Sequence, residues 1–402
     1  MVMLALDGIK ILDLTWQGPG PYATMILGDM GADIIEIMAP PTAGARQASR
    51  KSGKGGPLYQ AAHRNKRSLL LNLKAEEGKK IFHQLAAAAD VIVEGFRPGV
   101  MKRLGIDYDT LGKLYPRLIY CSITGYGQDG PYAELPGHDI NYLSFAGALS
   151  LIGEAGGNPV VPLNLVADYG AGGKDAAIGI LTALMAREKT GKGQHVDISL
   201  TDGVISLLAD AVLGAYFDHG RVSKRGEHLL SGAYPFYKVY KTKDGKFITI
   251  GCLEPWLWEH LCHEIGRDDF IPFNMLHEFV ENSAGAGKWQ EITTYLEKLF
   301  LTKTRDEWYE LFVKKDIPIG KVYTLDEVFT DPQVLHRKMV VELNHATEGK
   351  VKQVGVAIKL SGTPGEARIL PPTAGEHTDK ILKSLGYKPK EIEGLRQTGV
   401  VS

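Results

Sequence analysis

Two residues invite chemistry by their type and setting: an aspartate in a glycine cluster and a histidine on a glycine turn. The aspartate is Asp168, within Pro162-Leu-Asn-Leu-Val-Ala-Asp-Tyr-Gly-Ala-Gly-Gly173; the histidine is His138, within Pro136-Gly-His-Asp-Ile-Asn-Tyr142. Gly170, Gly172 and Gly173 remove side chains beside the acid, so a bulky ligand can come against the carboxylate, and amides at a helix start favour negative charge there. Imidazole titrates near neutrality and suits proton transfer. The plainer alternatives are a helix cap for Asp168 and a hydrogen-bonded turn residue for His138. Their joint placement beside glycine turns favours chemistry.

The elements that must position these groups follow from hydrophobic periodicity. Residues 163–167 read as a short strand delivering Asp168, and residues 175–187 as the helix after it. Upstream, strand 9–14, helix 22–30 and strand 33–38 form a β-α-β unit, which argues for a parallel sheet. A long loop at 40–56, rich in Gly, Ser and basic residues, has the length of a lid or a phosphate-facing wall. Strand 69–73, helix 76–88, strand 90–93, helix 108–115, strand 118–123 and strand 195–199 continue the alternation. These strands end in glycine-bearing or basic loops, which gather at the carboxyl edge of an open parallel sheet, where ligands bind. Gly18-Pro-Gly-Pro21 lacks the third glycine of a dinucleotide fingerprint, and Lys189-Thr-Gly-Lys-Gly-Gln194 fails the spacing of a phosphate loop.

The chain has 402 residues, a formal net charge of −1 and 44% hydrophobic residues, enough for two domains and without the charge of a nucleic-acid protein. Basic residues cluster at 46–67 and at Arg97, Lys102 and Arg103, which fits a compact anionic ligand. Cys121, Cys252 and Cys262 show no metal-ligand spacing, so no metal site is expected; the sparse cysteines, with no signal peptide and no membrane-length apolar run, point to the cytoplasm. From about residue 215 the pattern changes to a hairpin signal around Lys243-Asp-Gly-Lys246 and then helices, marking a smaller α+β domain at 215–335 between a large domain at 1–214 and a C-terminal return at 336–402. Trp16, Tyr22, Tyr142, Tyr234, Phe236 and Trp256 are candidates for an acyl pocket or for core.

Several motifs then make the chain recognisable over nearly its whole length: Gly8-Ile-Lys-Ile-Leu-Asp-Leu14 with Gly18-Pro-Gly-Pro21, Arg64-Asn-Lys-Arg-Ser68, Glu94-Gly-Phe-Arg-Pro-Gly99, Ala167-Asp-Tyr-Gly170, Thr190-Gly-Lys-Gly-Gln194 and Gly375-Glu-His-Thr378. The sequence resembles the class III CoA-transferase family of the CaiB/BaiF type, which also contains α-methylacyl-CoA racemase. The resemblance implies an α/β fold with a Rossmann-like large domain built from both chain ends, a small α+β domain, and an interlocked homodimer, with a hetero-oligomer left open. It places the catalytic aspartate at Asp168. It also implies coenzyme A, bound as a substrate thioester with no permanent cofactor, along Asn65, Lys66, Arg67, Asn72, Phe96, Arg97, Lys102 and Arg103, with Gly125, Tyr126 and Tyr142 nearer the thioester. Acyl-CoA and a carboxylic acid are the implied partners.

Two reactions fit. In CoA transfer, the Asp168 carboxylate attacks the thioester, and CoA passes through an aspartyl anhydride and an aspartyl thioester to an incoming carboxylate. In racemisation, His138 and Asp168 exchange the α-proton of a 2-methylacyl-CoA, with Glu254 orienting the base. Gly137-His-Asp-Ile-Asn-Tyr142 and Gly251-Cys-Leu-Glu254 look like the racemase branch; the long insert at 40–62, Arg64-Asn-Lys66 and the tail at 395–401 look like the transferases, toward which the balance leans. Gln17 receives no role. A non-catalytic partner subunit of a transferase is the third reading.

Overall fold

A computed structural model describes residues 3–40, 60–274 and 283–402. Most of the loop expected to act as a lid lies outside these residues. The chain divides into two compact units, one of residues 1–146, 162–208 and 331–402, the other of 147–161 and 209–330.

The first unit is built on a six-stranded sheet: β1 (Lys10–Asp13), β2 (Asp33–Met38), β3 (Lys66–Leu70), β4 (Val91–Glu94), β5 (Ile119–Thr124) and β6 (His195–Ser199), in the order β3-β2-β1-β4-β5-β6. Every pairing is parallel. Strands such as Val91-Ile-Val93 are apolar on both faces because helices cover both, so each face has its own core. Leu12, Ile35, Leu69, Ile92 and Tyr120 belong to one, and Ile11, Ile34, Val91, Val93 and Cys121 to the other. Winding starts at β1 and proceeds outward in both directions, so the loops after β1 and β4 diverge and leave a crevice at the carboxyl edge.

Around the sheet lie α1 (Pro19–Asp29), α2 (Glu76–Ala86), α3 (Val100–Leu104), α4 (Tyr108–Leu114), α5 (Asp139–Phe145), α6 (Lys174–Thr190) and α7 (Leu200–Leu207). The C-terminal segment returns to the outer strand: Leu71 bridges Val401, and the His377 amide donates to the Ser68 carbonyl. Two sequence expectations are corrected. The third strand occupies Lys66–Leu70 rather than 69–73, because the ammonium group at its start finds buried partners. Residues 163–167 are not a strand; a π-helix, Leu165–Gly173, runs directly into α6 and carries Asp168 in its first turn.

In the second unit β7 (Tyr237–Lys241), β8 (Phe247–Gly251) and β9 (Ile319–Lys321) form an antiparallel sheet. Phe236, Tyr240, Trp258, Phe300 and Phe312 fill its core.

Candidate active site

At the crevice between β1 and β4 a cavity of about 780 Å³ is lined by residues 15–20 after β1, residues 95–98 after β4, residues 123–125 at the end of β5, residues 133, 135–138, 141 and 142 entering α5, and Asn164, Asp168 and Leu200. His138 and Asp168 thus face one space. Asp168 is half-buried. Burial raises its pKa above the ordinary aspartate value, a hydrogen bond from Asn164 Nδ2 at 3.2 Å opposes that, the charge of Asp139 adds to it, and His138 counters.

Asp139 explains the local fold. It is 5% exposed, and its Oδ2 accepts hydrogen bonds from the backbone N–H groups of Ala167 and Asp168, each at 2.9 Å. Those amides are among the orphan donors at the start of the helical segment, and a carboxylate from α5 satisfies them. Asp168 is therefore neither a strand residue nor a cap; its backbone is held from outside, which leaves its carboxylate to the cavity. Gly18 makes that opening. Its φ of 63° is a left-handed conformation, and a Cβ there would stand 3.1 Å from Asp168 Oδ2. As the N-cap of α1, Gly18 also brings a helix N-terminus to the carboxylate, a setting that favours its ionised form.

The glycines after Asp168 serve packing instead of ligand access. A Cβ on Gly172 would meet Leu200 at 2.9 Å, and one on Gly173 would meet Tyr22 at 2.7 Å, so these positions let the π-helix press against α7 and α1. Tyr142 forms another wall, its hydroxyl donating to the Gly137 carbonyl at 2.5 Å and its ring lying where a Gly125 side chain would be. Burial first, then neighbouring Tyr126 and Asp168, push its pKa up to about 12, so it stays a neutral donor; Arg97 opposes.

Of the residues implied to hold CoA, the cavity gathers Phe96, Arg97, Gly125 and Tyr142, with Tyr126 packed edge-on against Tyr142 at 5.3 Å. Arg97 is exposed and, among the described residues, has no carboxylate partner, in contrast to Arg64, Arg67 and Arg187. Lys102 and Arg103 are exposed on α3 and do not line the cavity, nor does Asn72.

Asn65 and Lys66 are internal struts, which corrects their expected place on CoA. Lys66 is 1% exposed; its Nζ donates to Asp13 Oδ2 (2.9 Å), Thr24 Oγ1 (2.6 Å) and the Pro21 carbonyl (3.1 Å). Asn65, at φ 58°, donates through Nδ2 to Asp29 and the Glu366 carbonyl and accepts at Oδ1 from the Arg368 and Ile369 amides, stitching the C-terminal return to α1. Arg67 forms a bidentate pair with Asp33. Glu254 belongs to the second unit, as N-cap of the helix Pro255–Glu264.

Sequence reasoning missed Asp139 and Asn164, and on the β1 loop it read a family motif and a pocket candidate, Trp16, but gave Gln17 no role. Asp139 stands next to His138 in a motif already singled out; the β1 loop is marked by its place at the switch point. Gln17 does line the cavity. Of the aromatic candidates Trp16 and Tyr142 line it as well, whereas Tyr234 and Phe236 belong to the second unit's core.

Asp168, His138 and Arg97 thus meet at the switch point of a doubly wound parallel sheet, the edge at which open α/β folds bind ligands. Residues 6–378 match the profile of CoA-transferase family III, and the chain belongs to that family. It is 33% identical to human α-methylacyl-CoA racemase, over 99% of this chain and 98% of that one. Human succinyl-CoA:glutarate CoA-transferase is also 33% identical, over 98% of this chain and 90% of the relative. A CAIB/BAIF family protein from Brucella suis has the same fold, with a TM-score of 0.80 at 30% identity over 95% of this chain and 99% of that one.

Proposed function

We infer that the chain acts on an acyl-CoA thioester placed with its carbonyl at Asp168 and its phosphates toward Arg97, and that its reaction is proton exchange at the carbon next to that carbonyl. The observation that carries this reading is the placement of His138 and Asp168 on one cavity, close enough for the imidazole to act on the Asp168 carboxylate. One group removes the α-proton and leaves an enolate; the other, protonated, returns a proton to the opposite face, so a 2-methylacyl-CoA is epimerised with no change in atoms. Burial suits Asp168 to this work, because a raised pKa makes its protonated form a more available donor. CoA transfer, toward which the sequence alone leans, leaves the imidazole only its place in the capping box of α5.

CoA transfer stays as a second reading because the Asp168 carboxylate is open beside Gly18, as a nucleophile must be. Incubation with 2-methylacyl-CoA in heavy water separates the two. The expected result is deuterium at the α-carbon, reduced about 100-fold or more by His138→Ala. No exchange, together with an Asp168 CoA thioester trapped by hydroxylamine or borohydride, would establish transfer instead. Neither signal with CoA still bound would make the chain a non-catalytic partner subunit. The assembly proposed for either reaction is the interlocked homodimer.

A further inference from the structure

Glu94 ends β4 immediately before the Gly95–Pro98 loop that walls the cavity, and it is 3% exposed. A buried carboxylate is costly unless its environment compensates it, yet none of the chemistry above uses this one. Its Oε2 accepts the Phe96 amide at 2.8 Å, and Ser122 hydrogen-bonds its side chain. The Ser122 hydroxyl lies 3.0 Å from His195 Nε2, and the His195 ring stacks on Tyr108 of α4 at 5.4 Å. The register makes this a single row: Glu94 pairs with Ser122 on β5, and Ser122 with Asp197 on β6, two residues beyond His195. The row crosses three strands, from Glu94 at the end of β4 through Ser122 on β5 to His195 at the start of β6, and its Glu94 end bonds the loop.

We propose that Glu94 is a positioning residue for the thioester ligand, its carboxylate fixing the Phe96 amide so that Phe96 and Arg97 are presented to the cavity, with Ser122 and His195 holding that carboxylate in place. The role rests on the reading of the cavity as an acyl-CoA site, and it adds a device to that reading: the wall that meets the ligand is tied to a titratable group behind it. An ionised acceptor holds an amide more strongly than a neutral acid does. Burial raises Glu94 to about pKa 7, with the Ser122 and Phe96 hydrogen bonds opposing and Asp197 adding. The other charged or titratable groups on the elements around it are Tyr120 and Cys121 on β5, His195 on β6, Arg97 and Lys102 toward α3, and Asp107, Tyr108 and Asp109 at α4. Burial lowers the His195 pKa, with Asp197 and Asp109 opposing, which favours the neutral ring beside Ser122.

The test measures binding of dephospho-CoA, whose phosphates do not titrate between pH 6 and 8, together with hydrogen exchange of the Phe96 amide in the free protein. In the wild type, Kd is expected to rise about fivefold from pH 8 to pH 6, the weakening of one charged hydrogen bond. Glu94→Ala should bind about tenfold more weakly at pH 8 and exchange the Phe96 amide faster. Glu94→Gln, a neutral acceptor for that amide, should bind at pH 8 about as the wild type does at pH 6, more tightly than Glu94→Ala, and show no change in Kd from pH 8 to pH 6. Wild-type exchange in Glu94→Ala, wild-type affinity despite faster exchange, or a Glu94→Gln profile that keeps the wild-type pH dependence would each overturn the proposal. Faster exchange in a protein that does not bind dephospho-CoA even as wild type would overturn the reading of the cavity, and the proposal with it.

Discussion

Replacing Lys66 by Met should damage the fold and spare the ligand site, whereas replacing Arg97 by Gln should do the reverse. The Lys66 and Asp13 side chains are both 0% exposed and stand 2.9 Å apart. All three ammonium protons have acceptors, and Asp13 Oδ1 accepts from the Thr15 amide and hydroxyl at 2.9 and 2.5 Å. Methionine fills most of the space but leaves the Asp13 charge buried with only hydroxyl and amide partners. Stranding one member of a buried pair costs about 3–5 kcal/mol, a large share of the roughly 5–15 kcal/mol that holds a domain folded. Because the cost is that of an uncompensated charge, the Asp13→Asn, Lys66→Met double variant should regain part of it. Arg97 is exposed and, among the described residues, unpaired, so its loss should change stability by less than about 0.5 kcal/mol while weakening dephospho-CoA roughly 10-fold or more through a lost charged contact. Urea denaturation and equilibrium binding on the four proteins read both effects. A stable Lys66→Met protein that no longer binds dephospho-CoA would refute the internal role and return Lys66 to the ligand.

Gly18→Ala forces a side chain into a left-handed φ and within 3.1 Å of Asp168 Oδ2; about 1 kcal/mol of stability and at least tenfold in turnover should go, and unaltered turnover would show that the carboxylate does not work from this position. Asp139→Asn keeps an acceptor for the 167 and 168 amides but removes the charge that helps raise the Asp168 pKa, so the limb of the kcat profile on which Asp168 loses its proton should move to lower pH; a limb that stays put would mean that another group sets it. Glu94 has a folded pKa of about 7 against 4.5 for the free side chain, so its stabilising contribution is complete below pH 4.5 and is lost as pH rises through 7. Glu94→Gln should therefore gain on the wild type with rising pH, by at most roughly 3 kcal/mol above pH 8, and a gap that does not change between pH 5 and 8 in denaturation midpoints would contradict the burial argument.

What the amino-acid order reveals here depends on whether a residue's partner is local. The parallel sheet is legible because each central strand is an apolar run that no other environment would take, and the β-α alternation then dictates where the crevice opens. His138 and Asp168 are legible for a related reason, since glycine turns mark both. Lys66 is not: a lysine at a strand start reads as solvent-facing or ligand-facing until the fold brings the Asp13 carboxylate within 2.9 Å of its ammonium group. The β4-β5-β6 register likewise turns Glu94 from an ordinary strand-end acid into the end of a buried row. Residues 163–167 misled because Leu, Leu and Ala alternate there as they would in a strand, whereas the conformation is decided by the Asp139 carboxylate of α5, which captures the amides of residues 167 and 168. Gly172 and Gly173 were read from the wrong side, since a missing side chain looks alike whether a ligand or a helix comes close, and only the positions of Leu200 and Tyr22 tell which. Long-range electrostatics and close packing therefore reassign residues within this site without moving the site itself.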